Sequence, residues 1–148
     1  MRLPSGFGLF ALRAGLLVAA AGWGISFYFT FASWPAASGQ LKAMGGEWIE
    51  YRPMLDYWLR MASVVFGLIG VACALSWGRP KAFASLIGLL GPFHLVIGLT
   101  LVIAAHRNEL NSAIHHSFIP DITFCFLVGT LIQVPLLHAW FGKKTEPN

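Results

Sequence analysis

Charged side chains interrupt this chain at few places, and between them lie four stretches without Asp, Glu, Lys or Arg: residues 14–41, 61–78, 82–106 and 122–142. A helix rises about 1.5 Å per residue and the hydrocarbon core of a bilayer is about 30 Å thick, so about 20 apolar residues span it. Each stretch is near or above that length. Prolines set the ends. Pro35 disfavours helix at Trp34 and stops the first span, whereas Pro53 and Pro120 suit the opening turns of the second and fourth. The pattern predicts helices over about 9–33, 54–78, 82–106 and 120–142. Gly78, Arg79, Pro80 and Lys81 form a tight turn that makes the second and third helices antiparallel neighbours. The connection 35–55 holds Leu41, Met44 and Trp48 at near-helical spacing, broken by Gly45 and Gly46, which predicts a short interfacial helix ending in a turn.

The chain is therefore read as all-α: one four-span transmembrane domain over residues 1–148, an integral membrane four-helix bundle. Composition agrees. It is 57% hydrophobic and 11% charged, against roughly 25% charged in a soluble domain, and that leaves too little polar surface to cover four apolar helices in water. Small residues recur four apart on the first span (Gly15 and Ala19, Ala20 and Gly24, Gly22 and Ser26), a spacing that lets helices approach closely in lipid.

The net charge of +4 is spread over helix ends and so argues for orientation and against nucleic acid as a partner. Arg2, Arg13, Arg79, Lys81, Lys143 and Lys144 fall on the side of the two termini; Lys42, Arg52, Arg60 and Arg107 fall on the other. That bias of six against four puts both termini in the cytoplasm. The apolar run after Arg13 is longer than the roughly 7–15 residues of a signal-peptide core, so it reads as a retained helix. Cys73 and Cys125 fall at depths about 15 Å apart by helical rise, too far for a disulfide.

Five histidines are the first residues to test for chemistry. His94 follows the Gly91 and Pro92 kink about 18 Å along its helix, near the bilayer midplane, where an ionisable group is a functional candidate. Gln133 and Ser26 fall at similar depth, and the three form a candidate ligand-binding cluster or a polar tie between helices. His138 lies about 10 Å from the depth of His94, so the two make a poor pair of axial haem ligands. His106, His115, His116, Glu109 and Asp121 gather near the other side, but their spacing matches no zinc signature, and no metal site is assigned. A second constellation is Asp56 and Arg60, four apart on the second helix, with Asp121 at the start of the fourth. Around the outer mouth of the bundle these three and His106 would recognise a polar headgroup; the plainer reading is capping and an interfacial ion pair. No GxSxG, HExxH, Walker loop or dinucleotide fingerprint occurs.

The run Leu55, Asp56, Tyr57, Trp58, Leu59, Arg60, Met61, Ala62, followed by Phe66, Gly67 and Gly70, and later Pro120, Asp121, Phe124, Cys125, Phe126 and Gly129, resembles small bacterial four-helix membrane proteins similar to the BphX-like and DoxX-like groups. The resemblance implies a four-span fold and a multi-pass location in the bacterial inner membrane, and it implies no activity. The expectation is a non-enzymatic protein, an accessory subunit or a binder of a lipid-like molecule, with no cofactor. Its partners are membrane lipids, with another protein or a second copy of the chain as further candidates. Two alternatives stay open: a membrane oxidoreductase using quinone, haem or metal through histidine, and a small oligomeric transporter.

Overall fold

Each uncharged stretch forms helix, and the ends fall close to the prolines and glycines that mark them. The computed structural model describes residues 3–110 and 118–141. Among these, α1 (Phe7–Gly24) and α2 (Phe27–Phe31) make up the first span, α3 (Trp34–Ala43) is a short connecting helix, and α4 (Pro53–Gly78), α5 (Ala84–Arg107) and α6 (Phe118–Phe141) are the other three. All four spans are long and apolar enough to cross a membrane. Only 22% to 33% of each span's most apolar window is buried, and the outward faces carry Leu17, Val18, Leu68, Leu75, Leu89, Val96, Leu99, Leu127 and Val134. Water would make that surface costly, whereas lipid makes it the natural one.

The ends of the short elements follow from their sequence. Pro35 stands in the first turn of α3, where its missing N–H costs nothing. At the other end Gly45 takes φ 93°, its N–H donates to Lys42 O, and that of Gly46 donates to Leu41 O. Glycine adopts this left-handed turn freely, and the paired bonds satisfy the last helix carbonyls. A short helix is therefore present in this connection, as expected, although Met44 caps its end and Trp48 lies beyond it.

Glycines fix how the spans meet. Gly70 of α4 abuts the backbone of Gly24 and Ala20, and Gly67 lies under the ring of Phe27. Gly15 faces Leu131 and Ile132 of α6, and Gly22 faces the ring of Phe124. Gly91 and Gly98 of α5 face Gln133 and then Cys125 and Phe126 of α6. In each pair the numbering runs up one helix as it runs down the other, so the contacts are antiparallel. The core of Leu12, Leu16, Ala19, Cys73, Ile87, Leu90, Val128, Ile132 and Leu136 lies inside these seams.

One expected neighbour pair differs. The tight turn after Gly78 does not make α4 and α5 close partners: α1 packs against α4 and α6, α5 packs against α6, and α4 touches α5 only slightly. Packing in lipid is decided by where small residues allow close approach, and the glycines of α4 and α5 face α1 and α6. The first span also differs from a single helix, because its hydrogen bonding changes at Ile25 and Ser26.

Candidate functional site

His94 lies near the middle of α5 and is fully buried. One turn earlier in the chain, Leu90 presents its carbonyl oxygen 2.7 Å from Nδ1 of the imidazole. From α1, the indole of Trp23 donates its Nε1–H to His94 Nε2 at 2.7 Å. An indole can only donate, so Nε2 is the acceptor and the proton of the neutral ring sits on Nδ1, where it bonds to Leu90 O. Both ring nitrogens are thus used inside the protein.

Around this bond the other two spans supply aromatic rings. Phe66 of α4 stacks on Trp23 with centroids 5.0 Å apart. Phe124 of α6 meets Trp23 edge-on at 5.6 Å and lies 6.4 Å from His94. Trp23, Phe66, His94 and Phe124 come from α1, α4, α5 and α6, so one cluster draws on every span. Edge-on and offset pairs of this kind add about 0.5–1.5 kcal/mol beyond area burial in soluble proteins. The indole touches a ring of α4 on one side and the imidazole of α5 on the other, which joins the two helices that hardly meet directly.

The predicted cluster of His94, Gln133 and Ser26 does not assemble through hydrogen bonds. Gln133 lies against Gly91 at the α5 and α6 crossing, with Oε1 buried and without a partner. Ser26 stands at the junction of α1 and α2. The residue that sequence reasoning missed is Trp23, and a signal for it existed. Trp34, Trp48, Trp58, Trp77 and Trp140 lie at or beyond span ends, where indoles favour the interface. Trp23 alone lies well inside a span, and a buried indole N–H needs an acceptor.

At the other predicted constellation, Arg60 Nη2 and Nε donate to Asp56 Oδ1 at 2.7 and 3.0 Å. The guanidinium also donates from Nη1 to Phe29 O at 2.6 Å and to Ala32 O. Arg60 therefore caps the final carbonyls of α2, a helix end at which a cation is favoured. This is the only ion pair among the described residues. Asp121 is exposed in the first turn of α6 and does not join it. His106 and Glu109 line a shallow pocket of about 490 Å3 with Val102, Ala105, Leu110, Phe118 and Ile122. Among the described residues, no group of three or more His, Cys, Asp or Glu is placed to hold a metal ion. His115 and His116 lie outside the described residues, and both cysteines are free and buried.

A larger cleft, about 680 Å3, opens between the start of α1 and the second half of α6. Phe7, Ala11, Leu131 and Val134 give it apolar walls, and Ser5, Thr130 and His138 add polar groups to the lining. Thr130, Val134 and His138 recur at four-residue spacing and form one stripe about 12 Å long by helical rise. Sequence reasoning did not find it, because its two walls lie more than a hundred residues apart in the chain.

Comparison with known proteins finds no counterpart: no family model, curated protein or solved structure matches this chain.

Proposed function

We propose that this is a non-enzymatic protein of the bacterial inner membrane, with both termini in the cytoplasm, that binds a lipid-like molecule in the cleft between α1 and α6. The cleft carries the proposal. Its volume of about 680 Å3 lies within the roughly 300–1,000 Å3 of small-molecule sites, which are mostly apolar with a few placed polar groups. It is cut into two helices apolar enough to span a bilayer, so a hydrocarbon chain is the molecule that surrounds it. His138 and Ser5 lie near the termini of the chain, where a polar headgroup would sit.

Two further observations support the reading. With both nitrogens of His94 engaged, the imidazole offers no lone pair to iron or another metal, which weighs against the oxidoreductase alternative. The guanidinium of Arg60 is committed to Asp56 and two carbonyls, which moves the lipid-binding role from the outer mouth to the cleft. The excess of Lys and Arg on the side of the termini supports the orientation, and the resemblance to small bacterial four-span proteins supports the membrane.

Native mass spectrometry of protein extracted in mild detergent tests the proposal. Val134→Trp fills the cleft from an exposed position, and Leu137→Trp places the same bulk on α6 outside it. Bound lipid is expected on the parent and on Leu137→Trp and is lost on Val134→Trp. Equal lipid on all three overturns the proposal.

A further inference from the structure

The first span changes its hydrogen-bond pattern partway along. Up to Ile25, whose N–H reaches Ala21 O, the bonds are those of an α-helix; then Ser26, Tyr28 and Phe29 donate to Trp23, Ile25 and Ser26, three residues back. Such tightening inside a span marks a hinge or a strained sequence. Gly24, immediately before it, has open space where a side chain would stand. On its other side the backbone of Gly24 rests against Gly70 of α4. The change of pattern therefore sits next to the residue at which α1 and α4 meet backbone to backbone.

Beyond this tightened turn, α2 has five residues and buries none of them. With no residue buried, core packing does not fix its position. Its place is set by α4, through the ring of Phe27 on Gly67 and through Arg60 on the carbonyls of Phe29 and Ala32. Arg60 is itself held one turn away by Asp56. We infer that α2 is a hinged arm on the pivot Ile25 and Ser26, latched to α4 by the Asp56 and Arg60 pair. When the latch releases, α2 swings away as a unit, lifts Phe27 from Gly67, and opens the outer part of the α1 and α4 seam to lipid beside the Trp23 and Phe66 stack. The seam below the pivot, from Gly24 and Gly70 inwards, stays closed. Charge-assisted bonds to carbonyls are strong where water is scarce, so α2 stays docked until a competitor for the guanidinium appears.

Spin-label distances test the latch on the full-length protein in nanodiscs. Labels at Phe31→Cys and Leu68→Cys report on α2 and α4, and labels at Leu17→Cys and Leu127→Cys report on α1 and α6; all four positions are exposed. Cys73 and Cys125 are buried and stay in place. With Arg60→Gln, the first pair is expected to gain a second, longer distance component while the second pair is unchanged. Unchanged distances in both pairs overturn the latch. Broadening in both pairs overturns the hinge, because Arg60 would then hold the whole bundle.

Discussion

Trp23 Nε1–H points at His94 Nε2 across 2.7 Å, and these two side chains, 71 residues apart in sequence, tie α1 to α5 through the centre of the bundle. The imidazole that looked like the most reactive group in the chain is thereby fixed in one tautomer with no free nitrogen. Its neighbours are aromatic rings: Trp23 on one side, Phe124 and Phe93 on others.

A double-mutant cycle measures that tie. Hydrogen bonds between spans are worth about 0.6 kcal/mol on average and up to about 1.7, because helices separated in lipid find other partners. Trp23→Phe removes the donor and His94→Leu removes the acceptor. Their coupling energy in reversible unfolding from mixed micelles is expected near 1 kcal/mol. A coupling of zero would mean that the aromatic contacts alone hold the cluster.

Gly70 and Gly24 should respond oppositely to the same change. A Cβ on Gly70 would stand 2.7 Å from Gly24 N and 3.0 Å from Ala20 O, both rigid backbone atoms, whereas a Cβ on Gly24 meets nothing within 4 Å. Gly70→Ala is expected to cost about 1–3 kcal/mol by forcing two helices apart. Gly24→Ala is expected to be neutral or to gain up to about 1 kcal/mol from helix propensity. Equal losses in the same unfolding assay would mean that the crossing is not set by the Gly70 face.

Glu109 takes φ 50° at the end of α5, in the position where Gly45 stands at the end of α3. The same pair of bonds closes the turn, Glu109 N–H to His106 O and Leu110 N–H to Ala105 O. A side chain in that conformation costs about 1–2 kcal/mol. Glu109→Gly should therefore raise the thermal unfolding temperature, and Glu109→Ala should not.

Orientation is checked with an impermeant maleimide on intact cells. Lys42 and Lys81 are both exposed and lie at opposite ends of the bundle. Lys42→Cys is expected to react in intact cells and Lys81→Cys only after permeabilisation. The reverse pattern would put the termini outside.

The four spans were legible because lipid imposes one demand on every residue facing it, and that demand appears as uncharged runs of fixed length. Gly45 was legible as a helix end for a similar reason, since it acts through its own backbone; Pro35 marked a boundary but does not stop the first span, which ends at Phe31, and it stands instead in the opening turn of α3 with Trp34 helical before it. The Asp56 and Arg60 pair could be read from its four-residue spacing, but its targets, Phe29 O and Ala32 O, could not. A main-chain carbonyl leaves no mark in a sequence. Gln133 and Ser26 share the depth of His94 by residue count but make no hydrogen bond to it, and Gln133 lies against Gly91 instead, because depth follows from residue count while facing depends on how the helices are rotated. The slight contact of α4 with α5 was hidden for the same reason: a tight turn fixes how far apart two helix ends are, and the glycine faces decide which helices close on each other.

Those glycine faces also bear on the order in which the protein is assembled. Chains emerge N-terminus first at about 5–20 residues per second, and the α1 and α4 seam is complete within the first 78 residues. That pair can close in the membrane before α5 has been made. The face of α1 that carries Gly15 and Gly22 must wait, because Leu131, Ile132 and Phe124, which cover it, belong to α6. Of the four spans, the one made after the other three is the one that closes the bundle, and a ribosome stalled before α6 would leave α1 half covered in the lipid.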